Sequence, residues 1–345
     1  MPGILRFFLS MLVVFSHLSG AHSADHVGFY AVRAFFLLSG LLLTKALHET
    51  YQFDFFRFYS NRLLRIVPLY LLICVVTHVV IRLAPTQAGD FMPRWAFADN
   101  SGAMLQNFLL LPLASGYLKL RYLEPAWSLA VELIMYLFLW IGVSRNEKTA
   151  ILCLSFGLAF HLVELASGSS FAVRYFSLPS ALLSYGAGAL LYFRYEAFAK
   201  RRTLGAAAAA LWLANLVFGW RLWGEHVLDI GYYLNTLLFL VAAPFLLEPK
   251  LSSVLRGHDA VLGQLSYPVF LVQWLAGFVG YLVLDGAEGR GVFLFYLCLP
   301  VTLAMAAALT LINDMAIEPL RRRLRGRISP LGPAFLPTLQ LARAE

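Results

Sequence analysis

Long runs of apolar residues, separated by short polar segments, dominate the pattern along this chain. A membrane-spanning helix needs about 20 consecutive, mostly apolar residues, and ten runs meet or approach that length. The pattern therefore predicts an all-α fold, a polytopic transmembrane helical bundle of about ten helices. The predicted spans are residues 4–20, 29–47, 63–84, 126–144, 149–166, 176–193, 205–223, 230–247, 265–284 and 292–316.

Two segments fit this pattern less well. Residues 103–113 are apolar but short, so we predict a re-entrant or interfacial segment there. The N-terminus resembles a secretory signal peptide, because Arg6 precedes an apolar stretch and small residues lie close to Ala24. His17 interrupts the end of that stretch, and cleavage would leave the two termini on opposite sides of the membrane. We therefore predict that the first run is retained as a span.

Small residues recur at every fourth position in the sixth predicted span. Ser180, Ser184 and Gly188 form a small-xxx-small stripe. Such a stripe allows two helix backbones in a membrane to approach closely. We therefore predict tight packing of this helix against a neighbour.

Composition excludes a water-soluble fold. The 345 residues are 60% hydrophobic and only 13% charged, whereas soluble domains carry about 25% charged residues. The net charge of +8 does not indicate nucleic-acid binding, because the basic residues punctuate apolar runs and form no aromatic-interleaved patch. The three cysteines, Cys74, Cys153 and Cys298, lie in apolar segments without CxxC spacing, so neither a disulfide framework nor a metal site is predicted.

The basic residues also predict an orientation. With the N-terminus inside, most of the 27 lysines and arginines fall at cytoplasmic ends of the spans. The positive-inside rule then predicts that both termini are cytoplasmic. We assign residues 1–320 to one membrane domain and residues 321–345 to a basic cytoplasmic tail.

A few ionisable residues lie within the predicted spans, where an unpaired charge costs several kcal/mol. His17 follows Arg6 by eleven residues, which is about 16.5 Å of helix rise and nearly the same face. If their helices are neighbours, His17, Arg33 and Glu132 meet in the outer half of the membrane. The alternative is an Arg33–Glu132 ion pair that only holds helices together, with His17 filling a wet gap.

Arg62 and Arg65 open the third span at positions i and i+3, on one helix face. Guanidinium groups bind phosphate bidentately, so these two arginines, joined by Arg6, are candidates for an anionic donor. The alternative is ordinary cytoplasmic anchoring.

Several segments together resemble the acyltransferase-3 family of membrane acyltransferases, which acylate cell-surface glycans, lipids and other acceptors. The resemblance runs nearly from end to end. Its segments are Arg6 to His17 (R-x10-H), residues 32–40 (FFxLSGFL), residues 58–70 (FYxRRxxRIxPxY), residues 127–136 (WSLxxExxxY), residues 262–267 (LGxxSY) and residues 317–320 (xExPxR).

The resemblance implies an acetyl-CoA-dependent O-acyltransferase of a bacterial inner (plasma) membrane, acting on a glycan or glycolipid. In it, Arg6, Arg62 and Arg65 would bind cytoplasmic acyl-CoA. His17 would act as a general base or as a transient acyl carrier, and its ordinary pKa close to neutral pH suits proton transfer. Glu132 would stabilise the imidazolium, and Arg33 or Ser39 would polarise the thioester. The supporting residues are Trp127, Ser128 and Tyr136, and no metal is implied.

Two positions depart from the family pattern. Gln273 stands before Trp274 where the family often has a histidine, so we assign no base role there. Leu133 follows Glu132 where the family often has a second acid, which leaves Glu132 as the single carboxylate.

Two other function classes remain open from the sequence. A transporter or flippase for a glycan or lipid could use His17 and Glu132 as a proton relay, although we find no inverted repeat. A non-catalytic assembly or sensing protein gives no reason for grouping ionisable residues at two depths. The sequence does not identify the oligomeric state.

Overall fold

Helices form nearly all the regular structure in the described part of the chain. A computed structural model describes residues 2–20, 25–115, 120–248, 253–286 and 290–325, and it contains no strand among them. The α-helices are α1 Pro2–Leu18, α2 Asp25–Ala46, α3 Phe55–Leu83, α4 Pro85–Phe91, α5 Ser101–Leu109, α6 Ala126–Phe138, α7 Glu147–Ala166, α8 Phe171–Phe176, α9 Leu178–Phe193, α10 Tyr195–Ala199, α11 Arg202–Trp223, α12 Ile230–Leu247, α13 Ser253–Val283, α14 Val292–Ile312 and α15 Glu318–Arg325.

The ten predicted spans each fall on one long helix, so the predicted class of polytopic helical bundle is confirmed. Among the described residues, eight helices are long and apolar enough to cross a membrane, counting the helical turns that extend four of them. The other two, α1 and α9, are apolar but shorter, at 17 and 16 residues. Three of the long helices end in a π-helical turn, at Leu47–Tyr51, Leu139–Val143 and Asn313–Ile317.

The short apolar segment at residues 103–113 does not form a span. It is divided between α5, which has nine residues, and a 3-10 turn at Leu111–Ser115. Leu110, between them, has a positive φ of 61°, which breaks the helix. Of the predicted tail, α15 is described, and residues 326–345 lie outside the described residues.

The small-residue stripe on α9 packs against α2. Ser180 and Ser184 are fully buried, and a Cβ atom added at Gly188 would overlap the carbonyl oxygen of Leu37 on α2. A Cβ atom at Gly40 on α2 would likewise overlap the backbone of Tyr185. The predicted close approach is therefore confirmed, and it depends on glycine from both helices.

Three polar contacts join α1 to α13 at regular intervals. The backbone N–H of Gly3 donates to Asp259 Oδ1 at 3.1 Å, and Ser10 Oγ donates to the carbonyl oxygen of Ser266 at 2.8 Å. His17 Nδ1 lies 2.9 Å from Gln273 Oε1. Both sets of residues advance by seven, the spacing that returns to one face of two parallel packed helices. We call these three contacts the α1–α13 ladder.

Candidate active site

Five helices enclose a cavity of about 290 Å³ within the bundle, which we call the inner cavity. Its walls come from α1, α2, α3, α6 and α13, and many of its lining residues are apolar. The polar lining residues are Arg6, Ser10, Ser39, Arg62, Arg65, Ser128, Glu132, Tyr136, Ser266 and Tyr267. Seven of the predicted site residues therefore surround one space, although they come from four separate segments of the chain.

Glu132 is the only carboxylate among the residues that line the inner cavity. One of its oxygens accepts a hydrogen bond from the Tyr136 hydroxyl, one helical turn later on α6. The Ser39 hydroxyl of α2 donates to the same oxygen at 3.4 Å. These two hydroxyls orient the carboxylate in a half-buried position where an unsupported charge would be costly.

Three guanidinium groups share this cavity with the one carboxylate. Arg62 and Arg65 face the same space, as their spacing predicted. The Arg62 Nε atom is buried and has no hydrogen-bond partner in the described residues. The Arg6 Nε atom donates to the Pro2 carbonyl oxygen at 3.1 Å. The excess of positive charge makes the cavity suited to an anion with several acceptor oxygens.

A second cavity of about 400 Å³, which we call the rim cavity, adjoins the inner cavity at its predicted cytoplasmic end. Arg6, Arg65 and Tyr267 line both cavities. The rest of its lining is mostly polar and comes from α1, α3, α13, α14, α15 and the π-helical turn before α15. Its polar members include Asp259, Gln264, Asn313, Asp314, Glu318, Arg321 and Arg322. Arg6 and Arg65 thus lie between the mainly apolar inner cavity and the polar rim cavity.

The rim is held together by contacts that the sequence did not predict. Asn61 of α3 donates to the Arg321 carbonyl oxygen at 3.2 Å, and Arg321 donates back to the Asn61 side chain at 3.3 Å. Arg321 also forms an ion pair with Glu318 at 2.7 Å. These contacts join the segment at residues 58–70 to the segment at residues 317–320.

His17 does not line the inner cavity, and its hydrogen-bond partner is Gln273 rather than Glu132. Its ring packs against Trp274 at a centroid distance of 5.4 Å. It lies seven residues beyond Ser10, which is about 10 Å along α1. The predicted contact between His17 and Glu132 is therefore not formed. Instead, one face of α1 carries both Arg6 and His17, at different depths.

Arg33 lies outside the inner cavity and does not pair with Glu132. Its side chain is 1% exposed and donates to the carbonyl oxygens of Ser180 at 2.7 Å and Arg174 at 2.6 Å. It also bonds the Tyr232 hydroxyl. These contacts join α2 to α8, α9 and α12, because carbonyl oxygens satisfy the buried cation in place of a carboxylate. The ion pair between Arg33 and Glu132, which was the alternative from the sequence, is therefore not formed.

Trp127 packs outside the inner cavity as well. Its ring contacts Tyr175 at 5.0 Å and Phe176 at 4.8 Å between centroids. Its neighbour Ser128 does line the cavity, and the Ser128 hydroxyl donates to the Pro125 carbonyl oxygen at 2.8 Å. Trp127 therefore positions the start of α6, while Ser128 faces the site.

The sequence model of the acyltransferase-3 family, described as an acyltransferase domain, matches residues 3–309. This chain belongs to that family. It is 25% identical over 232 residues to the O-acetyltransferase OatA of Staphylococcus aureus strain NCTC 8325, and the same values hold for OatA of strains COL and MRSA252. The match covers 59% of this chain and 36% of each relative, so the chain spans little more than a third of their length. No solved structure matches the chain.

Family membership and the spanning helices together place this chain among the integral membrane proteins of the acyltransferase-3 family. The motifs that carry the family resemblance converge on the inner cavity and its rim, from α1, α2, α3, α6, α13 and α15. Gln273, to which the sequence assigned no role, forms a hydrogen bond with His17. Only its position in the family segment, where a histidine is common, could have drawn attention to it.

The segment between α3 and α6 packs over the end of the bundle near His17. Phe91 lies 6.0 Å from Trp274 between ring centroids, and Trp95 donates from Nε1 to the Arg121 carbonyl oxygen at 3.0 Å. Glu124 pairs with Arg94 at 3.2 Å and with Arg121 at 3.4 Å. Burial raises the pKa of Glu124, although both arginines favour its charged form. Contacts among its own residues therefore stabilise the segment between α3 and α6.

Proposed function

We propose that this acyltransferase moves an acetyl group from cytoplasmic acetyl-CoA to a hydroxyl of a glycan or lipid-linked glycan on the opposite side of a bacterial plasma membrane. The observation that carries the proposal is the pair Arg6 and Arg65, which lines both the apolar inner cavity and the polar rim cavity. A donor with a polar head, a charged middle and a long uncharged arm fits that order of environments.

Acyl-CoA has this order of chemical groups. Its adenine nucleotide suits the polar rim, its phosphates suit the guanidinium groups of Arg6, Arg62 and Arg65, and its pantetheine arm suits the inner cavity. At about 290 Å³, the inner cavity is near the lower end of ligand-site volumes. The name of OatA, an O-acetyltransferase, supports acetyl as the group and oxygen as its acceptor.

The reaction then uses the length of α1. The rise from Arg6 to His17 is about 16.5 Å, an interval that the extended pantetheine arm bridges when its phosphates lie at Arg6. A proton passes from the acceptor hydroxyl to the His17 imidazole as the oxygen attacks the thioester carbonyl. The carbon–sulfur bond breaks, and the thiolate of CoA takes up the proton.

A covalent route uses the same residues. The neutral His17 imidazole attacks the thioester carbonyl, the carbon–sulfur bond breaks, and CoA leaves as the thiolate from an acetyl-imidazolium. The acceptor hydroxyl then attacks the acetyl group, its proton passes to the thiolate, and the neutral imidazole is restored. Trapping of a labelled acyl-protein separates this route from general-base catalysis. In both routes Glu132, held by Tyr136 and Ser39, acts from the inner cavity on the donor rather than on His17.

The test is acetyl transfer by the purified full chain in proteoliposomes. With radiolabelled acetyl-CoA outside and candidate glycans inside, we expect label on the glycan, and loss of at least about 100-fold for His17→Ala. His226→Ala is the matched control, because His226 is exposed and lines neither cavity. Movement of the glycan without modification supports the transporter alternative, and full turnover by His17→Ala contradicts the assignment of His17.

A further inference from the structure

The side chain of Gln273 is fully buried between α1 and α13 and makes two hydrogen bonds of 2.9 Å. We propose that Gln273 is a positioning residue that fixes His17 as the tautomer protonated at Nδ1, with Nε2 as the reactive nitrogen. The proposal rests on the proposed function for the role of His17, and on the geometry alone for the tautomer.

The orientation of the Gln273 amide follows from its second contact. Its Nε2 atom lies 2.9 Å from the carbonyl oxygen of Phe270. A backbone carbonyl can only accept, so the group facing it must be the amide N–H. The remaining amide atom, Oε1, therefore faces His17.

The tautomer of His17 follows in the same way. Gln273 Oε1 can only accept, so His17 Nδ1 must carry the hydrogen across the 2.9 Å contact. A neutral imidazole carries one hydrogen, so Nε2 keeps its lone pair. Nε2 is therefore the nitrogen that takes the proton from the acceptor hydroxyl, or that attacks the thioester carbon in the covalent route.

Three features make this orientation firm. Gln273 is 0% exposed, so water does not compete for its oxygen. Its place on the α1–α13 ladder gives it the same register as Ser266, whose carbonyl oxygen accepts from Ser10 at 2.8 Å. The ring of Trp274, at 5.4 Å, packs against the imidazole.

Gln273 also differs in charge from the usual partner of a catalytic histidine. A carboxylate at this position would stabilise the imidazolium strongly, whereas a neutral amide orients the ring and stabilises the imidazolium less. The charged groups that face His17 from the neighbouring segments are Arg290, before α14, and Asp25, at the start of α2. The hydrogen-bonding partner of His17 is thus the neutral Gln273.

Two substitutions separate orientation from packing. Gln273→Glu keeps the size and an acceptor oxygen but adds a negative charge, so the acid limb of the pH–rate profile should move to higher pH by about one unit or more. Gln273→Leu removes the acceptor, and turnover should fall on the order of 10- to 100-fold with the KM for acetyl-CoA unchanged. Thr302→Val is the control, because Thr302 is buried and bonds only within α14.

A second measurement does not depend on turnover. Diethylpyrocarbonate modifies unprotonated imidazoles. Peptide mass spectrometry distinguishes His17 from the other seven histidines of the chain. The midpoint of His17 modification against pH should rise in Gln273→Glu and stay unchanged in Thr302→Val. An unchanged midpoint in Gln273→Glu overturns the proposal. A shifted midpoint in a protein that transfers no acetyl group supports the positioning role and rejects the proposed function instead.

Discussion

Glu132 sits among three arginines, and hydroxyl groups rather than cations make its closest contacts. Its negative charge opposes the binding of a phosphorylated donor in the same cavity, since like charges repel more strongly in a low dielectric. A group that weakens binding of the ground state and is supported by Tyr136 and Ser39 is expected to act during the reaction.

We expect Glu132→Gln to separate binding from turnover. The amide keeps the shape of the side chain and removes the charge, so turnover should fall on the order of 100-fold while the KM for acetyl-CoA falls or stays constant. Steady-state kinetics with varied acetyl-CoA measure both. Tyr136→Phe, which removes one hydrogen bond to Glu132, should cost less than Glu132→Gln. A large increase in KM for Glu132→Gln would contradict this account.

Arg65 lies between the two cavities, and its replacement should act mainly on donor binding. Arg65→Ala removes a charge-assisted contact worth about 1.5–3 kcal/mol, which corresponds to a KM for acetyl-CoA raised roughly 10- to 100-fold. Arg57→Ala is the matched control on the same helix, because Arg57 is exposed and lines neither cavity. Equal effects of the two substitutions would mean that both arginines serve only as anchors.

Sequence reasoning predicted seven of the residues that line the inner cavity but not their partners across the bundle. Spacing within one helix was sufficient to place Arg62 and Arg65 on one face. The partner of His17 depends on the register between α1 and α13, whose contacting residues are 256 positions apart in the chain. The carbonyl oxygens that accept from Arg33 belong to α8 and α9, and nothing in the sequence pairs these carbonyl groups with α2.

At the scale of helices, hydropathy predicted each long helix but not its ends. The structure begins α3 at Phe55 and α13 at Ser253, whereas the apolar runs begin at residues 63 and 265. Both helices continue through charged residues that an apolar window excludes. The Asp54 side chain caps α3 by accepting from the Arg57 N–H at 3.0 Å, which is a capping signal that hydropathy does not detect.

The contact of α2 with α9 provides a test of packing. Gly188→Leu should separate the two helices, because even a Cβ atom at this position overlaps the Leu37 carbonyl oxygen. We expect a clear loss of thermal stability, on the order of several degrees or more, in the melting curve of the detergent-purified protein. Gly142→Ala is the control, since a Cβ atom there meets nothing within 4 Å. A Gly188→Leu protein as stable as Gly142→Ala would contradict the close approach.

At the scale of the whole molecule, the proposed reaction depends on which end of the bundle faces the cytoplasm. The positive-inside rule predicts that the start of α7 is cytoplasmic and that its end is outside. Lys148 and Ser170 are exposed at these two positions. The three cysteines, at positions 74, 153 and 298, can be replaced to give a background for single-cysteine labelling.

In that background, a membrane-impermeant maleimide added to intact cells should label Ser170→Cys and leave Lys148→Cys unlabelled until the membrane is opened. A gel shift after the reaction measures the extent of labelling of each variant. The reverse pattern would place the arginines of the inner cavity on the outer side, where cytoplasmic acetyl-CoA does not reach them.

The α1–α13 ladder has a consequence for the range of donors. Its three contacts share one register, so a slide of either helix by one turn breaks all of them together. Arg6 and His17 lie on one helix, so the interval between them is a fixed length of about 16.5 Å, and the ladder keeps that length in register with α13. In the proposed reaction the donor has to span this length from its phosphates to its thioester. We therefore expect that an acyl carrier with an arm shorter than that of CoA does not bring its carbonyl group to the imidazole.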